Sequence, residues 1–598
     1  MITIDLVQKV LQPSLAWVYL FFLVSVTKYF CDLGFPALLA GLHCNTYSST
    51  WFSLPSSIAI FLGRWNISIQ QKAATMAEAA ISQAEASATA ATDSAAVAAV
   101  DDDAKFTFYI AICSTLAATG GLLFGYDIGI SGGVTAMDGF LEKFFHRVHR
   151  RQQAVKEDQE DNYCRYDDQE LQLFTSSLYL ACLVGSIVGS RTCSKYGRKL
   201  AIQLASIFYL VGAATNASAY DLSMLILGRI LVGMGDGFVL QAVPLFLSEL
   251  APAKIRGSLN ILFQLNVTVG ILIAKTVNYF AAQIYPWGWR LSLGLAEALA
   301  IVLFLGSLVI TETPTSLVER GHHQRGLAVL EKIRGTSNVR CEYKQIILAG
   351  EASRQVKDPY RSLLSRSCRP PLAVAVAVQI FTQFTGINVI MFYAPLLFET
   401  IGFKTSASLL STVIVGGINA IATVVSIALV DRAGRRVLLM EASVQMFVTQ
   451  AAIGGILAAK LTASSSLETG TAVAVVVLIC LYVMSFAWSW GAFCCLIPSE
   501  IFPLESRTAG ISCSMGINMI CTFIIAQAFL SMLCRMRAGT FFFFAGWTVV
   551  MGLFVLFLLP ETNGVPIDDM SERVWKQHWF WKSFMDDDQD PEAGNHEK

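Results

Sequence analysis

One carboxylate, Asp127, lies inside an apolar run that begins at Phe106 and is long enough to cross a lipid bilayer. Six glycines surround it in the stretch Gly120-Gly-Leu-Leu-Phe-Gly-Tyr-Asp-Ile-Gly-Ile-Ser-Gly-Gly133. A charge at that depth costs at least about 2.5–3.5 kcal/mol, so it normally faces a cavity or pairs with another group. The glycines allow a neighbouring helix or a ligand to approach the backbone closely. We therefore interpret Asp127 as an ionisable switch in a transport pathway; the alternative is an Asp that caps an irregular turn in a packing helix.

A second ionisable residue, Arg229, follows Gly228 in another apolar run. Two isolated charges in lipid would be very costly, whereas an acid and a base that can reach each other are tolerated. Protonation of the acid removes their attraction, and deprotonation restores it. The hypothesis is a proton-operated switch between Asp127 and Arg229, and the alternative is a fixed ion pair that joins two spans.

The composition is that of a protein that crosses a membrane many times. Of the 598 residues, 54% are hydrophobic and only 15% are charged, against about 25% charged in soluble chains. Windows of about 20 residues predict six spans within 106–311 and six within 372–560, separated by the hydrophilic stretch 312–371. The net charge of −1 gives no indication of nucleic-acid binding. No P-loop, zinc spacing or nucleophile–base constellation predicts a cofactor, a metal or an enzyme.

Both ends of the chain lie outside these spans. Residues 1–75 form an atypical N-terminal extension, in which Leu15–Phe30 is apolar enough for one extra helix. Residues 76–105 are rich in Ala, Ser and Glu and are predicted to be a disordered cytoplasmic tail. We expect the functional chain to start near Met76, with the first 75 residues either an unusual extension or a gene-model error. Residues 561–598 are expected to form a cytoplasmic C-terminal tail.

The basic residues of the short loops indicate the orientation. Lys195, Arg198 and Lys199 follow the second span, and Arg435 and Arg436 follow the eighth. Because cytoplasmic loops carry an excess of Lys and Arg, these loops are predicted to be cytoplasmic. The stretch 312–371, with short helices, falls on the same side.

This orientation sorts the fourteen cysteines. Outside the extension, only Cys164, in the loop 135–172, and Cys534 fall on the extracellular side. The oxidising exterior permits a disulfide between them, and two free thiols on separate loops are the alternative.

Three motifs occur in both apolar halves in the same order, which indicates an internal duplication. The matched pairs are Ser248-Glu-x-x-Pro-x-x-x-Arg256 with Ser499-Glu-x-x-Pro-x-x-x-Arg507, Tyr196-Gly-Arg-Lys199 with Ala433-Gly-Arg-Arg436, and Glu312-Thr-Pro with Pro560-Glu-Thr562. Parallel halves of this kind place a substrate site at their interface, near the middle of the membrane.

Several of these motifs resemble signatures of a known family. Those that resemble the sugar porters of the major facilitator superfamily are Asp431-Arg-x-Gly-Arg-Arg436, Pro244-x-Phe-x-x-Glu249, Gln383-Phe-Thr-Gly-Ile-Asn388 and Pro560-Glu-Thr562. Those that resemble its branch of plant monosaccharide–proton symporters, the sugar transport protein family, are Phe124–Gly133, Tyr163–Tyr166, Leu173–Leu178, Asn388–Pro395 and Phe486–Gly491. The resemblance covers about residues 104–575. It implies an all-α membrane protein of twelve transmembrane helices in two six-helix pseudo-symmetric halves, the major facilitator fold.

The resemblance also implies a function and the residues that perform it. The expected function is the proton-coupled import of a glucose-like hexose by alternating access, with Asp127 and Arg229 as the proton-coupling pair. Buried amides suit a sugar because they donate and accept hydrogen bonds without bringing charge. The implied sugar contacts are Gln264, Gln383, Asn388, Asn419 and Asn518, with Phe124 and Ile128 closing the site and Ile271 and Gly491 lining it. A lone amide in a membrane helix is also a common interhelical hydrogen bond, and this reading stays open.

Two further features follow from the same resemblance. Cys164 and Cys534 match a disulfide that covers the proton site with the loop 135–172. The expected cytoplasmic ion-pair latch consists of Arg198, Glu249, Arg256, Arg435, Glu500 and Arg507; the alternative is that its basic residues only fix topology. The expected partners are a monosaccharide, protons and membrane lipid, at the plasma membrane.

The sequence departs from the family pattern at four positions. Thr382 stands where a Gln is expected, and Cys495 stands where a Trp would pack against the sugar ring. Leu240 replaces a polar Asn, and Asp236 adds a carboxylate to the fourth span. The alternatives are therefore a carrier for another polyol or a pentose, or a non-transporting or weakly transporting sugar sensor.

Overall fold

The computed structural model describes residues 107–156, 162–251, 256–336, 339–355, 359–366, 368–461, 467–503, 506–562, 565 and 570–585. Over these residues the chain is helical and contains no strand. The expected extension 1–75 and tail 76–105 lie outside the described residues.

The helices follow one another in two groups around a hydrophilic connection. The first group is α1 (Phe108–Val134), α2 (Asp138–Phe144), α3 (His146–Lys156), α4 (Gln169–Tyr196), α5 (Arg198–Ala217), α6 (Leu222–Leu250), α7 (Arg256–Ala281) and α8 (Gly288–Val309). The connection contains α9 (Pro314–Glu319), α10 (His323–Arg334), α11 (Arg340–Gln355) and α12 (Pro359–Ser362). The second group is α13 (Arg369–Phe384), α14 (Ile387–Thr400), α15 (Thr405–Ala433), α16 (Arg435–Lys460), α17 (Thr469–Ala487), α18 (Trp490–Ile501), α19 (Arg507–Met536) and α20 (Gly539–Phe557), followed by α21 (Lys582–Met585).

Eleven segments of the described chain are long and apolar enough to cross a membrane. Helix α7 is not among them, although it is 26 residues long. It nevertheless packs along α1 and α15 as a full member of the bundle. With α7, the twelve spans of the predicted fold are accounted for.

Helix α1 packs on α7 with the two backbones almost in contact. Gly121, Gly125 and Gly129 recur at every fourth residue and therefore share one face of α1. A Cβ atom on Gly125 would lie 1.9 Å from the carbonyl oxygen of Val267, and one on Gly129 would lie 2.8 Å from that of Ile271. The glycine-rich run around Asp127 is thus a helix-packing surface, and it holds α1 against the part of α7 that carries Ile271.

Two predicted spans, near 372–398 and near 471–496, are each broken into two helices. Between α13 and α14 the chain turns at Gly386 with φ 84°, and the freed carbonyl of Thr385 accepts from Gln450 Nε2 at 2.7 Å and Tyr482 Oη at 2.8 Å. Between α17 and α18, Ser426 Oγ donates to the carbonyl of Trp488 at 3.3 Å. Side chains of neighbouring helices therefore satisfy the backbone where each span unwinds, which is what a break at membrane depth requires.

The bundle has two distinct ends. At one end, which we call the disulfide end, Cys164 in the loop between α3 and α4 is bonded to Cys534 near the end of α19. At the other end, the arginine end, Arg198 begins α5 and Arg435 begins α16.

Candidate substrate and proton site

Asp127 on α1 and Arg229 on α6 are both buried, with 3% and 1% of their surfaces exposed. Among the described contacts, no direct ion pair joins them, so the alternative of a fixed ion pair is not formed in this structure; the proton-operated switch stays a prediction. Instead Arg229 Nη2 donates to Ser131 Oγ, and Arg229 Nε donates to the carbonyl of Phe174 at 3.4 Å. The guanidinium also lies over the Phe174 ring, 4.7 Å from its centroid.

Ser131 links the two residues of the predicted pair. It lies one helical turn beyond Asp127 on α1, and its Oγ donates to the Asp127 carbonyl oxygen at 2.8 Å. Oδ2 of Asp127 is buried and has no hydrogen-bond partner among the described residues. Four residues of helix span about 6 Å, so the hydroxyl that holds Arg229 lies one turn along α1 from Asp127. Sequence reasoning missed Ser131, although its i+4 spacing from Asp127 is visible in the sequence.

The unexpected carboxylate of Asp236 is accommodated by a tyrosine. Its side chain is fully buried on α6, two turns after Arg229, and Tyr209 Oη on α5 donates to Oδ1. Oδ2 has no partner within the described chain. Leu240, the other departure on this helix, packs half-buried against the apolar core.

Three of the four predicted amides of the second half, Gln383, Asn388 and Asn518, belong to one continuous hydrogen-bonded array. Asn388 Nδ2 donates to Gln383 Oε1, and Gln383 Nε2 donates to Asn518 Oδ1 at 2.9 Å. Asn518 Nδ2 donates to Gln379 Oε1 at 2.6 Å, and Gln379 Nε2 donates to the carbonyl of Cys494 at 2.6 Å. The array joins α13, α14, α19 and α18 beside both helix breaks, and it fixes the orientation of every amide in it.

Gln379 is a member of this array that sequence reasoning did not identify. It lies one turn before Gln383, on the same face of α13, and this i−4 spacing is the signal that could have found it. Thr382, which stands where a Gln was expected, donates its hydroxyl to the carbonyl of Val378 in its own helix at 2.8 Å. The Thr382 hydroxyl is therefore used within its own helix and does not replace the amide that was expected at this position.

The other predicted pocket residues lie on four different helices, α1, α7, α15 and α18. Gln264 on α7 is half-buried and Asn419 on α15 is buried, and neither amide has a hydrogen-bond partner in the part of the chain that the structure describes. The remaining four are apolar or small: Ile128 and Ile271 are buried, Phe124 is half-buried, and Gly491 is buried against Phe486.

Cys495 is exposed on α18, and its sulfur lies 3.6 Å from that of Cys494. The side chain is much smaller than the expected Trp, so this side of the site lacks an aromatic platform. The helix break brings Cys494 into the amide array through its carbonyl, whereas the thiol of Cys495 takes no part in it.

At the arginine end, a charged cluster in the first half surrounds Arg198. Its guanidinium pairs with Glu249 at 2.7 Å and with Glu319 at 2.7 Å. Its backbone N–H donates to Glu312 Oε1 at 3.0 Å, and Thr313 Oγ1 donates to Glu249 Oε2 at 2.5 Å.

The second half repeats this arrangement around Arg435. The guanidinium pairs with Glu500 at 3.0 Å, the backbone N–H donates to Glu561 Oε1 at 3.1 Å, and Thr562 Oγ1 donates to Glu500 Oε2 at 2.7 Å. These contacts join residues of one half and of the segment that directly follows it, so each cluster holds the helices of its own half together.

Two glycines allow these clusters to form. Gly197 precedes Arg198 with φ 103°, and Gly434 precedes Arg435 with φ 81°, a left-handed conformation that favours glycine. A Cβ atom on Gly197 would lie 2.1 Å from Glu312 Oε2. Of the other predicted latch residues, Arg507 begins α19, and the side chain of Arg256 lies outside the described part of the chain.

At the disulfide end, contacts cross between the two halves. Besides the disulfide, Tyr166 Oη in the first half donates to Glu399 on α14, and Arg165 lies 3.6 Å from the same carboxylate. Ser531 Oγ on α19 donates to Asp167 Oδ1 at 2.6 Å. The loop that carries Cys164 is thus held by bonds to α14 and α19 of the second half.

Removing this tether is expected to change the pH dependence of transport. In Cys164→Ser the loop is freer to open and water reaches the Asp127 end more readily, so ionised Asp127 is better solvated. Uptake should then require a more acidic medium than in the parent chain, which the initial rate of sugar uptake between pH 4.5 and 7.5 measures. The matched control is Cys513→Ser, which removes a half-buried free thiol from the same helix as Cys534. An unchanged pH profile would remove the proposed role of the disulfide.

The fold and the buried polar site define a multi-pass membrane transporter. The chain belongs to the Sugar (and other) transporter family, which it matches over residues 113–574. This confirms the family recognised from the sequence motifs.

The chain aligns with nearly the whole length of two related proteins. The chain is 57% identical to Sugar transport protein 6 of Arabidopsis thaliana over 496 residues, which are 82% of this chain and 97% of that protein. It is 58% identical to Sugar transport protein MST4 of Oryza sativa subsp. japonica over 489 residues, 82% of this chain and 94% of that one.

A solved structure confirms the fold. The proton:xylose symporter XylE, of the major facilitator superfamily, bound to 6-bromo-6-deoxy-D-glucose, superposes with a TM-score of 0.65 and 24% identity, over 78% of this chain and 99% of that chain. The predicted major facilitator fold is therefore correct.

Proposed function

We propose that this chain is a proton-coupled symporter that imports a glucose-like hexose across the plasma membrane by alternating access. The observation that carries the proposal is the placement of Arg229 on Ser131, one turn from the buried carboxylate of Asp127. The names of the relatives, which are sugar transport proteins, support the substrate class.

The mechanism follows from moving Arg229 between two positions. While Asp127 is protonated it carries no charge, and the guanidinium stays on Ser131 and the Phe174 ring, as in this structure. Loss of the proton creates a buried anion, and Arg229 then moves one turn along α1 to pair with it. Because α1 packs backbone to backbone on α7, a shift of α1 displaces Ile271 on α7. Ile271 lines the proposed sugar site, so the shift alters that site. Protonation and sugar binding thereby favour the same arrangement of helices.

The sugar site lies where the amide array faces α7 and α15. Gln379, Gln383, Asn388 and Asn518 supply oriented donors and acceptors, and Gln264 and Asn419 supply amides from the facing helices. We assign the arginine end to the cytoplasm because its loops carry the basic residues, and the disulfide end to the oxidising exterior.

Uptake by yeast that lacks its own hexose transporters tests the proposal. Cells that produce the chain should accumulate radiolabelled glucose, and a protonophore should abolish the accumulation. Chains that start at Met1 and at Met76 are compared, which also tests the expected start. Uptake that is unaffected by the protonophore would contradict proton coupling, and an absence of uptake from both starts would contradict the transport proposal.

The second candidate is a weakly transporting or non-transporting sugar sensor. Two observations favour it: Thr382 donates its hydroxyl to its own helix, and Cys495 provides no aromatic surface for the sugar ring.

Restoring the aromatic side chain distinguishes the two candidates. An aromatic platform contributes about 1–3 kcal/mol through apolar burial, so Cys495→Trp should lower the KM for hexose by a factor of about 5 to 150. The matched control is Cys521→Trp, on α19, which adds the same side chain elsewhere. A KM that stays constant in Cys495→Trp would mean that the sugar does not contact this position.

A further inference from the structure

Lys275 is a cation in the interior of the bundle that the proposed mechanism does not use. It lies on α7 with 2% of its surface exposed. Its Nζ lies 3.6 Å from Met391 Sδ, and a thioether sulfur is only a weak acceptor. No ion pair joins it to a carboxylate in the described residues, and the titratable group that acts on it electrostatically is the thiol of Cys480.

A buried ammonium group is normally paired or functional, because transfer of a charge out of water is costly. The buried carboxylates of the neighbouring spans are those of Asp127, Asp236 and Glu399, and that of Glu441 is half-buried. All have other surroundings: Asp127 lies near Arg229, Tyr209 donates to Asp236, Tyr166 donates to Glu399, and Trp488 Nε1 donates to Glu441 at 3.1 Å. None of them compensates Lys275. Within the described residues, no carboxylate therefore supplies a negative charge to this lysine.

The position of Lys275 connects it to the proposed sugar site. Three helices meet at this side chain, namely α7 itself, α14 through Met391, and α15, where its Cδ lies 3.3 Å from the Cβ position of Gly416. Each helix carries a predicted sugar contact three or four residues away: Ile271 on α7, Asn388 on α14 and Asn419 on α15.

On all three helices, the residue at Lys275 is displaced from the predicted sugar contact toward the same end of the bundle. Helices α7 and α14 run toward the disulfide end, and Lys275 and Met391 follow their sugar residues. Helix α15 runs the opposite way, and there Gly416 precedes Asn419. Lys275 therefore lies one helical turn, about 5.4 Å, from the sugar-contacting layer on the side of the disulfide end. A substituent on C6 of a bound hexose spans a distance of this kind.

We propose that Lys275 forms an anion subsite of the sugar pocket, and that the chain binds and imports monosaccharides that carry a carboxylate, such as hexuronates. This inference rests on the proposed function, because it extends the same pocket. The amide array and the facing amides bind the ring hydroxyls, and Nζ donates a charge-assisted hydrogen bond to the C6 carboxylate.

The proposal has a consequence for charge transport. Import of a neutral hexose with one proton moves one positive charge into the cell. Import of a hexuronate anion with one proton moves none. Uptake of the anion should consequently respond to the pH gradient and not to the membrane potential, whereas uptake of the hexose responds to both.

The test uses radiolabelled D-glucose and D-galacturonate with the full chain in hexose-transport-deficient yeast. In the parent chain, galacturonate should compete with glucose and should itself be taken up. In Lys275→Gln, the ratio of the inhibition constant for galacturonate to the KM for glucose should rise by at least about tenfold, since the charge-assisted bond is lost. In Lys275→Arg, which keeps the positive charge, this ratio should stay close to that of the parent chain. The matched control is Lys460→Gln, an exposed lysine at the end of α16, which should leave the ratio unchanged.

The outcomes separate this inference from the proposed function. Glucose uptake without competition by galacturonate overturns the anion subsite alone, as does an unchanged ratio in Lys275→Gln. Uptake of galacturonate without uptake of glucose upholds the subsite and rejects the hexose assignment. Uptake of neither rejects both. Galacturonate competition and uptake in the parent chain test the anion subsite even if the variants fail to fold.

Discussion

Asp127→Asn is expected to abolish accumulation of sugar against a gradient, while downhill exchange of sugar continues. Asn keeps the size of Asp127 and cannot release a proton, so Arg229 stays on Ser131 throughout the cycle. With a membrane potential of 100 mV and a pH difference of one unit, one proton supplies about 3.7 kcal/mol, which permits about 500-fold accumulation. In the variant the ratio of internal to external sugar should fall to about 1. Steady-state uptake of a non-metabolised glucose analogue measures this ratio.

The control for this variant is Glu441→Gln, which makes the same acid-to-amide change at a carboxylate on α16 that accepts from Trp488 Nε1 at 3.1 Å. It should accumulate sugar as the parent does. If Asp127→Asn also accumulates sugar to the parental ratio under a proton gradient, Asp127 is not the coupling residue and the proposed mechanism is wrong.

Asn518→Leu is expected to raise the KM for hexose by about tenfold or more. Asn518 lies in the middle of the amide array, where it accepts from Gln383 at 2.9 Å and donates to Gln379 at 2.6 Å. Leu has a similar volume and leaves both glutamines without these partners, at a cost of about 1–3 kcal/mol for each buried group. The glutamines then turn toward new partners and no longer present fixed donors to the sugar. Initial uptake rates over a range of sugar concentrations give the KM.

The matched control is Asn266→Leu, because the Asn266 amide donates to the carbonyl of Leu262 in its own helix at 2.9 Å and takes no part in the array. Its KM should stay within about twofold of the parent. A similar KM in Asn518→Leu would mean that the array serves only to join helices, which is the alternative that the sequence left open.

Long-range features of the fold were predictable because they depend on patterns that the sequence displays directly. Apolar runs of bilayer length gave the spans, and the duplicated motifs gave the two halves. The repeated Gly-Arg and Glu-Thr motifs predicted charged residues at matching places, and the structure shows that they form the same contacts in both halves. The disulfide between Cys164 and Cys534 agrees with the family resemblance, whereas topology alone left free thiols as an alternative.

Local geometry was harder to predict, because it depends on partners that lie far away in the sequence. The breaks at Gly386 and Ser489 occur inside apolar runs, and they are stable because Gln450, Tyr482 and Ser426, on other helices, bind the freed carbonyls. The same holds for the proton site, where hydropathy identified the acid and the base but could not show that a serine hydroxyl holds the base in this structure.

The repeated charged clusters at the arginine end have a consequence for the origin of the protein. In each cluster, the arginine, its glutamate, the threonine that binds this glutamate, and the acid that receives the arginine N–H come from one six-span half and the segment that directly follows it. An ancestor with half the present length could therefore already build it, and two such chains could associate as a dimer before their genes were joined. The disulfide, in contrast, bonds one half to the other and therefore needs both halves.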